Sequence, residues 1–297
     1  MPHILTLVAA PGALDPALVA RIRAALDALG AAPGTPDPLA DREAVDIPFT
    51  GSPDQAVAAA CAALAGAPVD AIATPAEGRR KRLLIADMDS TVVTSETLDE
   101  IAAHAGLKDR IAEITRRSMN GELDFRQALI ARIAMLEGLD AAALDATWAK
   151  TRMMPGAAEL VGTMRAHGAV TCLASGGFTF FTGRVAEALG FHHHVSNTLL
   201  VEDGKLTGRV AEPIFDRNAK LTTLTRLAAD NAIPLSATLA VGDGANDLDM
   251  IRAAGLGVAF RAKPIVAAAA SAQVNHTNLT ALLYAQGYRR TEFTIAA

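Results

Sequence analysis

The sequence predicts an α/β fold: a mainly parallel sheet with helices on both faces, a helical insertion, and a small α+β domain in front. Three observations carry this. From residue 83 onward, apolar β-rich runs alternate with helical stretches, the pattern of parallel strands joined by crossover helices. The stretch 98–150 is helical throughout and too long for a simple crossover, so it reads as an inserted cap. The first 73 residues run strand, helix, one or two strands, helix, strand, a split βαβ pattern.

In chain order, His3 to Ala9 reads as a strand. Asp15 to Leu29 has helical spacing, with Asp15 as N-cap and Pro16 at the first helical position. Glu43 to Phe49 reads as a strand, Asp54 to Leu64 as an alanine-rich helix, and Val69 to Ala73 as a short strand. TPAEGRRKR, residues 74–82, carries Pro, Gly and a basic run, and reads as a linker. The domains are therefore drawn at 1–77 and 78–297, with the cap at about 98–150. Leu83 to Asp87 opens the second domain as a buried strand. After the cap, MMPGAAELVGTMRAHG is a helix that stops at Gly168, and AVTCLAS is a strand. FHHHVSNTLLVEDGKLTGRV reads as a strand and a hairpin turning at Asp203-Gly204. Ala219 to Asn231 is helical, ATLAVGDG a strand, Asp247 to Ala254 a short helix, GLGVAF a strand and AQVNH the last strand.

The 297 residues suffice for two domains, and 51% hydrophobic content allows a large core. A net charge of −5 offers no basic field for nucleic acid. The two cysteines, Cys61 and Cys172, are far apart in apolar surroundings, so both read as core thiols in a reducing compartment. The N-terminal segment lacks a basic region before its apolar run, and no stretch has the length of a membrane span. A cytoplasmic protein is the expectation.

Three apolar strands of the second domain end on polar residues: Asp87-x-Asp89, Ser175-Gly176-Gly177, and Asp243-Gly244-x-x-Asp247. Alone, an aspartate after a strand is a turn former. In open parallel sheets, however, ligands bind at the carboxyl ends of strands, and three such tips on neighbouring strands converge. Converging carboxylates need a cation, and an oxygen-only set suits Mg²⁺. With a phosphate present, Asp87 would attack phosphorus and Asp89 would exchange the proton. Ser175, nearby backbone N–H groups and one lysine would neutralise charge. Lys220 by spacing alone is an ordinary helix lysine.

DMDSTVV, SGGF, Lys220 and GDGANDLDM, in that order, resemble the four motifs of the haloacid dehalogenase-like phosphatases. Over residues 81–285 the chain further resembles the phosphoserine phosphatase family. DMDSTVVTSETLDEIA is similar to its first motif, SMNGELDFRQALIARI to its cap segment and GKLTG to its hairpin. Met88 stands where many relatives have Phe. The resemblance implies a Rossmann-like core and Mg²⁺-dependent hydrolysis of phosphoserine to serine and phosphate, the last step of serine biosynthesis. It implies Asp87 as nucleophile and Asp89 as acid/base. It gives Asp87, the Asp89 carbonyl and Asp243 as metal ligands. Ser175, Gly176 and Lys220 become phosphate binders, Asn246 a phosphate-side contact, and Asp247 the support of metal and lysine. Glu96 faces the substrate ammonium, Arg132 its carboxylate, and Met119 and Phe125 close over the site.

Without the family, Met119 and Phe125 would be core residues, Arg132 a solvated helix arginine, and Glu96 an acid suited to a helix N-terminus. The chemistry agrees with the family, because a guanidinium and a carboxylate together select a zwitterion. Consecutive His192, His193 and His194 on a strand point to opposite faces and do not form a metal set. Trp148 reads as packing and YRRTEFTIAA as a tail. The N-terminal domain is similar to ACT-like, ferredoxin-like domains, which by fold analogy alone implies amino-acid binding or a homodimer through it. Two other readings remain open: transfer of the phosphoryl group to another small hydroxyl, and an aspartyl-phosphate receiver without turnover. A receiver needs neither the cap nor Asp89 as proton donor.

Overall fold

The structure is a computed structural model and describes residues 2–295. Ala296 and Ala297, the end of the expected tail, lie outside the described residues. The chain forms two compact units. One comprises the residues through Arg82, Pro155–Ala169 and the residues from Ala272 on, and the other Leu83–Met154 with Val170–Ser271. The units are discontinuous in sequence, whereas the sequence reading draws one boundary at 77/78.

The first unit begins with β1 (Pro2–Val8), α1 (Pro16–Ala28), β2 (Asp37–Ala40), β3 (Ala44–Thr50), α2 (Pro53–Leu64) and β4 (Asp70–Pro75). The sheet runs β2-β3-β1-β4 with antiparallel pairings among the described residues, a ferredoxin-like order made of two interleaved split βαβ units. Alternation decides its faces. Leu5 and Leu7 of β1 join Ile22 and Leu26 of α1 and Ala56, Ala60 and Leu64 of α2 in one core. Cys61 falls between the buried positions of α2 and is exposed. The expectation of two core thiols therefore holds only for Cys172. The basic segment expected to be a linker is docked: Arg79 pairs with Asp46 at 2.6 Å and donates to Thr6 at 3.1 Å.

The second unit opens with β5 (Leu83–Ala86), then the cap helices α3 (Thr97–Ala103), α4 (Lys108–Met119), α5 (Phe125–Ala134) and α6 (Ala142–Trp148). Next along the chain is α7 (Ala157–Ala166), a member of the first unit. The second unit resumes with β6 (Val170–Phe178), α8 (Thr179–Leu189), β7 (His193–Asn197), β8 (Leu199–Glu202), β9 (Lys205–Val210) and α9 (Arg217–Asp230). It ends with β10 (Thr238–Gly242), α10 (Leu248–Ala253), β11 (Leu256–Phe260) and α11 (Pro264–Ala267). Its strands run β11-β10-β5-β6-β7, all parallel. Every residue of β5, β10 and β11 is buried, as expected of strands covered on both faces. β8 and β9 form the hairpin, with Asp203 at φ 48° and Gly204 at φ 74°, the left-handed pair of a type I′ turn.

The chain closes in the first unit with β12 (Ala272–Val274) and α12 (Ala281–Ala285). α12 packs on β1, β4 and α7. The buried Asp70 carboxylate accepts the backbone N–H groups of Asn275, His276 and Thr277 and the Thr277 hydroxyl. The expected tail is packed as well: Tyr284 and Phe293 rings lie 4.9 Å apart, and Thr294 N–H donates to Thr163 at 2.9 Å. No described helix is long and apolar enough to cross a membrane.

Candidate active site

Strand register builds the site. Ala86, the last residue of β5, lies level with Val241 of β10 on one side and Leu173 of β6 on the other. The next residues of these three adjacent strands are Asp87, Gly242-Asp243 and Ala174-Ser175. The three polar tips therefore emerge at one edge, and Asp87 N–H donates to Val241 O at 3.0 Å. Lys220 sits in the first turn of α9, whose N-cap Asp216 accepts Ala219 N–H. Its Nζ donates to Asp87 and, at 2.5 Å, to Asp247 Oδ1.

Carboxylate oxygens of Asp87, Asp243 and Asp247 lie within 4.8 Å of one another, all three residues buried. An all-oxygen set of this kind suits a hard divalent cation. Asp247 is in this cluster, yet both its oxygens are engaged. Oδ1 holds Lys220, and Oδ2 accepts the Asp243 and Gly244 N–H groups at 3.2 and 3.1 Å. That engagement fits a supporting position. The Asp89 side chain turns away from the cluster: Oδ1 accepts Thr97 N–H at 2.9 Å and Oδ2 faces the Ser175 hydroxyl at 3.4 Å.

Burial sets the charge states. It raises Asp87 well above the usual carboxylate range. Lys220 opposes this shift, and Asp247 and Asp89 add to it. Burial likewise raises Asp243, with Glu96 and Asp87 adding to the shift. Asp89 is pushed up to about 6 by burial, against the Thr97 hydrogen bonds. Burial alone would lower Lys220, but Asp247 and Asp87 outweigh it and keep the ammonium charged. A bound dication would pull the cluster back toward ionisation.

The cap closes the other side. One cavity is lined by Asp87, Asp89 and Ser175 below and by Glu96, Met119, Phe125 and Arg132 from the cap segment. Gly176 and Asn246 line it too, and the buried Asn246 Oδ1 has no partner among the described residues. The cap seats tightly. A Cβ on Gly176 would lie 2.6 Å from the Phe125 ring, and one on Gly244 would lie 2.6 Å from Met119 Sδ, so both glycines are needed for that approach. Glu96 accepts the Ser90 hydroxyl at 2.6 Å and is pushed up to about 7 by burial and by Asp89. Arg132 is only 3% exposed, so it is not a solvated helix arginine.

Sequence reasoning missed several supports. Thr91 donates to Asp243 at 3.3 Å. Asn197 donates to Gly176 O and Phe215 O and accepts Phe215 N–H, bracing the Ser175 loop against the segment before α9. Leu98, Leu129, Gly177 and Phe178 also line the cavity. Their only signal is position: Thr91 and Gly177 lie inside motifs already singled out, while Asn197 at a strand end carries none.

The haloacid dehalogenase-like hydrolase family profile matches residues 84–252. The phosphoserine phosphatase of Streptomyces coelicolor is 47% identical over 235 residues, 79% of this chain and 57% of its own. The chain spans just over half the length of the first curated relatives it matches, between 53% and 59%. A structure described as a phospho-aspartyl intermediate analogue of phosphoserine phosphatase is 38% identical with a TM-score of 0.67, covering 69% of this chain and 98% of the other. A probable phosphoserine phosphatase from Vibrio cholerae, unliganded, is 32% identical with a TM-score of 0.78, covering 98% of this chain and 88% of the other. By strand order, motifs and similarity alike, the chain belongs to the haloacid dehalogenase-like hydrolases, on the phosphoserine phosphatase branch.

Proposed function

We propose that this protein hydrolyses O-phospho-L-serine to L-serine and phosphate with Mg²⁺, through an aspartyl phosphate on Asp87. One observation carries the reading: a single cavity has the Asp87/Asp89 pair and Ser175 at one end, and a half-buried carboxylate, Glu96, and a buried guanidinium, Arg132, on its cap side. Those cap charges complement an ammonium and a carboxylate. The relatives of known activity add weight.

The steps follow from the geometry. An Asp87 oxygen attacks phosphorus and the bond to the serine oxygen breaks, while protonated Asp89 gives that oxygen its proton. Water then attacks the acyl phosphate, Asp89 takes its proton, and Asp87 leaves as carboxylate. The Ser175 hydroxyl and Lys220 meet the phosphoryl oxygens. Asp87, the Asp89 carbonyl and Asp243 would hold Mg²⁺, with Asp247 behind them. When bound, the ion supplies charge neutralisation on the phosphoryl group. Met119 and Phe125 exclude bulk water, and Asn246 faces the phosphate side.

The decisive experiment measures phosphate release from O-phospho-L-serine with Mg²⁺ and with EDTA. Release that is absent with Mg²⁺, or unchanged by EDTA, refutes the reading. We assign residues 1–77 to an ACT-like domain that mediates a homodimer, supported by the β2-β3-β1-β4 order. Light scattering tests the dimer. Two unbridged cysteines support a cytoplasmic location.

A further inference from the structure

Arg132 has no carboxylate partner of its own among the described residues, although it is 3% exposed. A buried guanidinium without a counter-charge is costly. Its Nε donates to Ala128 O, one turn back on α5, at 3.1 Å. Its Nη1 donates to the Thr115 hydroxyl on α4 at 2.8 Å. That hydroxyl reaches Asp99 Oδ1 on α3 at 2.7 Å, with the Ile111 carbonyl 3.1 Å away as the other acceptor. A hydroxyl has one proton and two acceptor positions. Thr115 can therefore accept from Arg132 and donate to Asp99 at once. Asp99 is 8% exposed, and among the acids around Arg132 it opposes the burial penalty most.

We propose that Asp99 and Thr115 are positioning residues that fix and charge-balance Arg132 through a hydroxyl, leaving its fork free to read a substrate carboxylate. A direct Asp–Arg pair would occupy that fork in bidentate fashion. Relaying the charge through Thr115 engages one Nη1 donor. Of five guanidinium N–H donors, two are used by the protein, and the side chain lines the cavity. The relay also joins three cap helices, so the arginine is set by the cap's own packing. A carboxylate-bearing phosphate monoester is thus selected over one that lacks the carboxylate. This rests on reading Arg132 as the carboxylate contact.

The test compares kcat/KM for O-phospho-L-serine and O-phosphoethanolamine, which keeps the phosphate and ammonium and lacks the carboxylate. Arg132→Ala is the reference and should collapse the ratio. Thr115→Val keeps the side-chain shape and should lower the ratio about tenfold, mostly through KM for phosphoserine, in line with losing a hydrogen bond to a charged group. Thr115→Ser should restore the ratio, which a packing role would not predict. Asp99→Asn keeps an acceptor, removes the charge and should lower the ratio in the same direction. Circular dichroism and thermal melts confirm that each variant is folded. If Arg132→Ala collapses the ratio and both Thr115→Val and Asp99→Asn leave it within about twofold, or lower both substrates equally, the relay is overturned and the substrate reading stands. If Arg132→Ala leaves the ratio unchanged, the carboxylate reading and the relay fall together.

Discussion

Asp87 and Asp89 are two residues apart, yet their surroundings differ. Asp87 faces Lys220 and the carboxylate cluster, while Asp89 faces Thr97 N–H and Ser175. Asp87→Asn should abolish turnover in a folded protein, because an amide does not form the acyl phosphate. Wild-type-like steady-state release, after mass spectrometry excludes deamidation, would remove Asp87 as nucleophile. Asp89→Asn should slow turnover about 10²- to 10⁴-fold, the usual contribution of a general acid/base. Glu96 gives a pH signature. Burial and Asp89 hold it up at about 7, so it is protonated below that pH and no longer attracts an ammonium. KM for phosphoserine should then rise about tenfold between pH 8 and pH 6, the consequence of a single ionisation near the middle of that range. p-Nitrophenyl phosphate has no ammonium, so a KM rise equal to that of phosphoserine would count against Glu96. Asp87, Asp89 and Glu96 do line one cavity, the aspartates as expected from their place at a strand end and Glu96 as the family resemblance implies. The sequence said nothing of Ser90 or Thr97, whose partners depend on the loop's path rather than on a pattern.

At the scale of elements, the strands and helices of the core were legible, since continuous apolar runs mark doubly covered strands. The hairpin was legible from Asp203-Gly204, two residues that both take positive φ. β2 was not distinct, because DPLA is short and carries a proline and an exposed acid. Tertiary hydrogen bonds that join elements were not legible either. Asn197 is the clearest case: its buried amide meets Gly176 on one side and Phe215 on the other. Asn197→Leu would strand the Phe215 N–H and two carbonyls. It should cost about 3 kcal/mol or more, at about 1–3 kcal/mol for each of the three groups left unpaired. It should also lower kcat, because the Ser175 loop and the approach to Lys220 lose a common brace. Urea melts and steady-state kinetics check the two effects. A destabilised variant with unchanged kcat at temperatures where it is folded would limit Asn197 to stability.

At the scale of the molecule, the sequence placed one boundary after residue 77, and the compact units instead thread back and forth. Proline, glycine and charge near residues 74–82 look like a linker, but composition does not reveal that Arg79 finds Asp46 or that Asp70 collects four donors from residues 275–277. Removing residues 1–77 should therefore destabilise what remains. Leu282 and Tyr284 of α12 are fully buried and would lose β1 and β4. A truncated protein as stable as the full chain would contradict this. The cation gives a second, independent test of the whole fold. Burial raises Asp87 and Asp243, whereas unfolded carboxylates titrate near about 3.9. The folded state thus binds more protons than the unfolded state above that pH. Without metal, the stability these groups contribute is present at low pH and lost as pH rises through their folded pKa. A dication needs the ionised cluster, so its stabilising effect must grow over the same interval. At about 100 times its dissociation constant a ligand adds about 2.7 kcal/mol, which for a chain of this size is about 4 °C in Tm. Mg²⁺ should therefore raise Tm by that amount at pH 8 and by little at pH 5, and EDTA should reverse the gain. Differential scanning calorimetry in both buffers decides it: a shift equal at the two pH values, or one retained by a variant with Asp243→Asn, would place the cation elsewhere.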